Sequence, residues 1–265
     1  MPDLFSNASW GGASAAVRLF FGMCNIFLAI RLTGAVFYGY LTLMSSATAF
    51  YVAVFGSIFT ITVTRAAELR HGDDSSRNID ALFSIILTLT LLSVVILGLA
   101  AFFLGQSFLH AFVYWGGDPL VESSLSSLLV LVAIIAVCQI LSAANVAVIE
   151  SLGRFDLAAR AQIFGPPVVF SWLAFGYFSG SQMNIADVGK AMLAGSVVDL
   201  IVITWVRLKM RQVRMLILSP STIEMFVSLF KQGMALQGAG LINVFFDPFN
   251  KYLLNNSIVS PTPVA

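Results

Sequence analysis

Four ionisable side chains stand within stretches of sequence that are otherwise apolar. They are Arg18, Asp199, Asp247 and Lys251. A charged side chain inside a membrane is costly unless it meets water, a counter-charge or a bound ion, so such residues are functional candidates by default. The sequence therefore predicts these four residues as candidates for binding a substrate within the membrane.

Arg18 and Asp199 lie at similar predicted depths in their apolar stretches. At 1.5 Å per residue, Arg18 is about 12 Å from the start of the first stretch and Asp199 about 10 Å from the end of the sixth. The two could form an ion pair. Alternatively, Arg18 could face a hydrated cavity and bind an anion, because a guanidinium holds phosphate as readily as carboxylate. The sequence leaves both interpretations open.

Asp247 and Lys251 are four residues apart, with the acid first, and so share one face of a helix in the favourable order. Pro248 lies between them and favours a kink that frees nearby carbonyl groups. Kinked helices that carry charge are typical of transporter sites. A pair that simply neutralises itself near the outer interface is the alternative.

The composition excludes a water-soluble domain. Hydrophobic residues make up 58% of the 265 residues and charged residues 10%, against about 25% charged in soluble domains. The apolar runs also lack the alternation of barrel strands, so helices must cross the membrane. The predicted fold is an all-α, polytopic integral membrane protein with about seven transmembrane helices.

Runs of about 20 apolar residues, enough to cross a bilayer, predict the spans. They are Trp10–Ile30, Tyr38–Val63, Ala81–Leu104, Ser123–Ile149, Ala161–Phe178, Val188–Val206 and Gly233–Leu254. The predicted domains are a first six-helix lobe at residues 1–206, a basic amphipathic linker on the cytoplasmic side at 207–232, and the first helix of a second lobe at 233–265.

The basic residues of the loops are distributed asymmetrically. Ten lie on the same side as the N-terminus and two on the other. Because Lys and Arg concentrate in cytoplasmic loops, we expect a cytoplasmic N-terminus. The run Arg207–Arg214 would lie on the same side, where it would contact phosphate headgroups or an anionic substrate.

Recognisable motifs for catalysis or metal binding do not occur in the sequence. It has neither a Gly-rich phosphate loop nor a paired-histidine zinc motif nor a nucleophile elbow. Cys24 and Cys138 lie in apolar runs and suit packing. The net charge of +1 offers nothing to attract nucleic acid. We therefore expect no catalytic residue, metal site, cofactor or nucleic-acid partner, and no enzyme activity.

Several short motifs, taken in order, resemble the polysaccharide and O-antigen flippases of the multidrug/oligosaccharidyl-lipid/polysaccharide exporter superfamily. The motifs are Asn7-Ala8-Ser9-Trp10, Leu28-Ala29-Ile30-Arg31-Leu32-Thr33-Gly34, Phe37-Tyr38-Gly39, Glu150-Ser151-Leu152-Gly153-Arg154-Phe155-Asp156, Lys231-Gln232-Gly233 and Asp247-Pro248-Phe249-Asn250-Lys251-Tyr252-Leu253-Leu254. The resemblance implies two six-helix lobes facing a central cavity, of which this sequence would supply the N-terminal half.

The resemblance also implies a function. Such a protein flips undecaprenyl-diphosphate-linked oligosaccharide across the bacterial inner membrane by alternating access, for the biosynthesis of surface polysaccharides such as lipopolysaccharide or exopolysaccharide. Arg18 and Lys251 would be cavity cations, and Asp199 and Asp247 would balance charge or couple to an ion. The partners would be the lipid-linked oligosaccharide, membrane lipids and other polysaccharide assembly proteins. As half a transporter, the chain alone is expected not to translocate substrate.

Two alternative functions remain at this stage. A multidrug or organic-cation exporter of the same superfamily would need acidic cavity residues without cations, which Arg18 disfavours. A membrane glycosyltransferase or polymerase that uses the same lipid carrier would need a large outer loop with catalytic residues. The outer loops offer only Asp118, Glu122 and Asp187, which are scattered along the sequence.

Overall fold

The computed structural model describes residues 4–34, 75–112, 119–181 and 183–210. It also describes positions 38–39, 41–42, 45, 56 and 59–65, and a few positions between 224 and 232. The predicted seventh span, with Asp247 and Lys251, and most of the second span lie outside these residues. The predicted boundaries between the domains stay predictions.

Six helices make up the main described ranges, and these ranges contain no strand. The helices are α1 (Leu4–Thr33), α2 (Ser75–Phe112), α3 (Pro119–Ser151), α4 (Phe155–Ala161), α5 (Gly165–Phe178) and α6 (Ile185–Lys209). Four of them, α1, α2, α3 and α6, are long and apolar enough to cross a membrane. The chain is therefore an all-α polytopic membrane protein, as its composition predicts.

Local sequence signals set the helix ends. α1 stops at Thr33 because Gly34 adopts a left-handed conformation (φ +87°) and its N–H bonds to the carbonyl of Ile30. α6 begins at Ile185, three residues before the predicted start. Asn184 and Asp187 form a reciprocal capping box there, which satisfies two backbone N–H groups at the start of the helix.

The fifth span begins four residues later than predicted. The apolar stretch from Ala161 to Phe178 predicts this span, and Gly165-Pro166-Pro167 indicates a disruption within it. The structure has the short α4, a break at residues 162–164 and then the 14-residue α5. Pro166 and Pro167 lie in the first turn of α5. Proline is tolerated in the first turn of a helix and not in its interior, because it lacks an N–H group. The helix therefore begins at Gly165.

The helices pack side by side. α3 packs against both α2 and α6, α6 also packs against α5, and α5 against α1. The short α4 contacts α1, α3 and α6 at the end of the bundle where α3 and α6 finish. One buried cluster, with Leu28, Leu128 and Leu173, joins α1, α3, α5 and α6 towards the other end. Many large apolar side chains of α1 and α2 are exposed, which suits contact with lipid or with another membrane helix.

Candidate substrate site

A cavity of about 380 Å³ lies where α1, α3, α5 and α6 meet. Most of its lining is apolar, and its polar side chains come from different helices. These polar side chains are Arg18 and Asn25 of α1, Gln139 of α3, Ser196 and Asp199 of α6, and Tyr38, Thr42 and Ser45 of the following segment. Mostly apolar walls with a few convergent polar groups are typical of ligand sites.

Arg18 lies at the junction of this cavity with two others. It also lines a space of about 210 Å³ with Asp199 and Gln162, and one of about 390 Å³ with Glu150 and Gln162. The side chain is exposed, and its Nη1 donates a hydrogen bond to Oε1 of Gln162 at 3.0 Å. The guanidinium is thus held in place by a neutral amide and stays open to the cavity.

Asp199 contacts the first turn of α5. Its Oδ1 accepts a hydrogen bond from the backbone N–H of Gly165 at 2.7 Å. Because Pro166 and Pro167 have no N–H groups, Gly165 supplies the hydrogen bond that a carboxylate can accept at this helix start. The positive end of the helix dipole also stabilises the negative charge. Asp199 therefore has a structural role as well as a place in the cavity wall.

Arg18 and Asp199 share the cavity without contacting each other. Among the ion pairs of the described residues, none within 4.0 Å joins these two side chains, and each has another hydrogen-bond partner. The direct pair considered from the sequence is therefore not formed in this structure. Arg18 still attracts the carboxylate over a longer distance. The two remaining predicted site residues, Asp247 and Lys251, lie outside the described residues.

The backbones of α5 and α6 approach closely beside the cavity. A Cβ atom added at Gly195 would lie 2.5 Å from Cγ2 of Val169 and 2.9 Å from the carbonyl oxygen of Gly165. A Cβ at Gly165 would overlap the Asp199 carboxylate. Small residues permit such close approach between membrane helices. These two glycines therefore set the position of the Asp199 carboxylate.

Four uncharged or outlying polar residues of the site were missed from the sequence. They are Asn25, Gln139, Gln162 and Glu150. Asn25 Nδ2 donates to the carbonyl of Pro166 at 3.1 Å, and its Oδ1 is buried with no partner in the described part of the chain. For the three amides, the available signal is an uncharged polar side chain within an apolar run. Glu150 directly follows the fourth predicted span and therefore gives no signal of a charge within the membrane.

The turn that joins α3 to α4 holds a satisfied ion pair. Arg154 donates to both carboxylate oxygens of Asp156, from Nε at 3.1 Å and from Nη2 at 3.2 Å. This hydrogen bonding holds the pKa of Asp156 below its ordinary value, although burial opposes the shift. Nearby, the Arg160 guanidinium lies 4.2 Å from the centre of the Trp10 ring. Arg154 and Arg160 thus contact a carboxylate and an aromatic ring, whereas the described hydrogen bond of Arg18 goes to a neutral amide.

Metal binding has no support in the described residues. They contain no cluster of three or more His, Cys, Asp or Glu side chains that could hold an ion. Cys24 and Cys138 are both free. Arg18 and its amide neighbours offer hydrogen-bond donors to the cavity.

Comparison with known proteins shows the fold. No protein-family model matches the sequence, and no curated protein matches it. One similar solved structure is described as "Reverse polarity of binding pocket suggests different function of a MOP superfamily transporter from Pyrococcus furiosus Vc1 (DSM3638)". It has a TM-score of 0.66 at 12% identity, and the match covers 91% of this chain and 54% of that one.

A second is the "Outward-facing conformation of a multidrug resistance MATE family transporter of the MOP superfamily", with a TM-score of 0.65 at 13% identity. That match covers 88% of this chain and 52% of the other. This chain thus spans about half the length of the solved transporters it matches. Over that half, the chain has the fold of MOP superfamily transporters, which are multi-pass membrane proteins.

Proposed function

We propose that the chain forms one lobe of a flippase for undecaprenyl-diphosphate-linked oligosaccharides in the bacterial inner membrane, with its N-terminus in the cytoplasm. The observation that carries the proposal is the state of Arg18. Its guanidinium is exposed, lies at the junction of three cavities and makes its described hydrogen bond to a neutral amide. No ion pair of the described residues neutralises it.

A diphosphate matches this environment. A guanidinium binds phosphate oxygens through parallel hydrogen bonds, and these charge-assisted bonds strengthen where water is scarce. Gln139 and Ser196 line the same cavity and could bind further phosphate or sugar oxygens. A volume of about 380 Å³ lies within the usual range for ligand pockets.

The surface beside Arg18 suits the other part of such a substrate. Leu19, Phe20 and Met23 follow Arg18 on α1, and each of them is more than 60% exposed. A lipid-linked sugar is amphiphilic, so its polar head and its tail need adjoining polar and apolar surfaces. The proposal places the diphosphate at Arg18 and leaves the polyprenyl tail in the bilayer.

Asp199 favours a second candidate function, the export of organic cations. Its carboxylate lines the same cavity, and one similar solved structure is a multidrug resistance transporter. However, Asp199 already accepts a hydrogen bond from Gly165 at the start of α5, whereas the guanidinium of Arg18 is open to the cavity. We therefore favour an anionic substrate.

The test is a binding experiment on the purified 265-residue chain in detergent, with undecaprenyl diphosphate as the probe. We expect Arg18→Ala to weaken binding at least about tenfold, since a hydrogen bond to a charged group contributes about 1.5–3 kcal/mol. The affinity of Arg18→Lys should lie between those of the wild type and Arg18→Ala, because the charge stays but the planar guanidinium is lost. Arg31→Ala is the matched control, because Arg31 is an exposed arginine on the same helix that contacts Phe27 instead.

Two results would overturn the proposal. Equal binding of undecaprenyl diphosphate by the wild type and Arg18→Ala would remove Arg18 from the site. Binding of tetraphenylphosphonium that is lost in Asp199→Asn, with no binding of the diphosphate, would establish the cation exporter instead. Undecaprenol should bind measurably neither to the wild type nor to Arg18→Ala, because it lacks the anionic group.

A further inference from the structure

A second arginine enters the helix bundle, at the end of α6. Arg207 is half-buried, and its Nη1 donates a hydrogen bond to Oδ1 of Asn145 at 2.7 Å. Asn145 in turn donates from Nδ2 to the carbonyl of Leu141 at 2.9 Å and to Oγ1 of Thr204 at 3.3 Å. These bonds fix the amide of Asn145 so that its oxygen faces the guanidinium.

The charge of Arg207 is not neutralised within the described part of the chain. The ion pairs there do not include it, and its Nε is buried without an acceptor. A guanidinium with one neutral partner and an unused donor is costly in an apolar environment. An anion that reached the free N–H groups would remove most of that cost.

The surroundings form a narrow groove along α3 between α2 and α6. Both of these helices pack against α3, and Arg207 faces Phe83, Ile86 and Leu87 of α2 across a cavity of about 60 Å³. This cavity is too small for a sugar or a drug-sized molecule. Leu87 is partly exposed, and Leu91 and Val95 continue the exposed apolar face of α2 beyond it.

The neighbouring side chains indicate the depth of Arg207 in the membrane. Trp205 is 55% exposed, and Nζ of Lys209 lies 3.7 Å from the centre of its ring. Tryptophan and lysine at the end of a membrane helix are typical anchors at the level of the lipid headgroups. Arg207 lies between these two residues in the same turn, so its guanidinium is at headgroup level, where phosphate is abundant.

We infer that the groove between α2 and α6 is a binding site for an anionic phospholipid. The lipid phosphate binds the guanidinium of Arg207, and an acyl chain lies against the exposed apolar face of α2 at Leu87, Leu91 and Val95. The site is separate from the Arg18 cavity and does not depend on the proposed function. Its occupant is a membrane lipid rather than a soluble anion, because the groove continues onto an apolar surface.

Thermal unfolding of the purified chain in detergent tests the inference, with phosphatidylglycerol, phosphatidylcholine or inorganic phosphate added at equal phosphorus concentration. We expect phosphatidylglycerol to raise the melting temperature, and phosphatidylcholine and inorganic phosphate to leave it unchanged. Arg207→Gln should abolish this shift and weaken the retention of phosphatidylglycerol in native mass spectrometry about tenfold, since a charge-assisted contact is lost. Lys209→Gln, which removes a charge from the same turn but outside the groove, should keep most of the shift.

Each contrary result is decisive. A full shift in Arg207→Gln, or an equal loss in Lys209→Gln, would show attraction by overall charge instead of a site at Arg207. An equal shift with inorganic phosphate would show a site for soluble anions and no lipid site. If Arg207→Gln does not elute as a single folded species, Arg207→Lys decides. An intermediate shift in Arg207→Lys supports the site, and a shift equal to that of the wild type contradicts it.

Discussion

Arg18 and Arg207 are the same type of side chain in two different regions of one helix bundle. Arg18 is exposed and opens onto a cavity of about 380 Å³, whereas Arg207 is half-buried beside one of about 60 Å³. Each donates to a neutral amide, Gln162 or Asn145. An arginine near the membrane therefore does not by itself define a substrate site. The space around the guanidinium decides which anion can reach it.

Adding a side chain at the wall of the Arg18 cavity should lower the stability of the fold strongly. Gly195→Val should lower stability by about 3 kcal/mol, because its side chain meets the Gly165 carbonyl and forces α5 away from α6. Gly98→Val on α2 is the matched control, since a Cβ there meets nothing within 4 Å. Thermal unfolding of both variants measures the difference. Equal stability of the two variants would show that the close approach does not constrain the cavity.

The two arginines should differ in what they contribute to stability. Arg207→Leu should cost about 1–3 kcal/mol, because it leaves the buried Oδ1 of Asn145 without a donor. Arg18→Leu should change stability by less than about 0.5 kcal/mol, as is usual for exposed positions. The melting temperatures in lipid-free detergent separate these values. A larger loss for Arg18→Leu would reverse the assignment of a binding role to Arg18 and a partly structural role to Arg207.

Arg154 provides a third case, because its charge is already paired with Asp156. The pKa of Asp156 is held below its ordinary value by Arg154, so the carboxylate stabilises the fold above about pH 4, its unfolded pKa. This stability, at most about 1 kcal/mol for a pair with one exposed partner, is lost as the pH falls through the lower folded pKa. The melting-temperature difference between the wild type and Asp156→Asn should therefore shrink as the pH falls from about 6 through this range. A difference independent of pH would contradict the pairing.

The sequence predicts much of this fold because lipid imposes a simple constraint. Apolar runs long enough to span a bilayer have to be helices, so the spans around α1, α3 and α6 were located within a few residues. The fifth span ends at Phe178 as predicted but begins at Gly165, four residues late, because a hydrophobic run shows the total apolar length and not where the backbone can begin a helix. Gly165-Pro166-Pro167 carries that information, because proline is tolerated in the first turn of a helix and not in its interior.

The candidate site was predicted in part for a related reason. Arg18 and Asp199 stand out in an apolar sequence, and the structure places both in one cavity. Their actual partners, Gln162 and the Gly165 N–H, are an uncharged amide and a backbone group. Neither has a sequence signal that links it to a residue so distant in the chain. The sequence shows Arg207 only as one of a basic run that would contact phosphate headgroups or an anionic substrate, because its contact with Asn145 depends on packing between α3 and α6.

The shortness of α5 has a consequence for the bilayer itself. Its 14 residues rise about 21 Å, while the hydrocarbon core is about 30 Å thick. A helix of this length crosses the hydrocarbon by itself only where the bilayer thins locally or where water reaches the interruption at residues 162–164. Both responses shorten the path from the aqueous phase to the guanidinium of Arg18, which is bonded to Gln162 within that interruption.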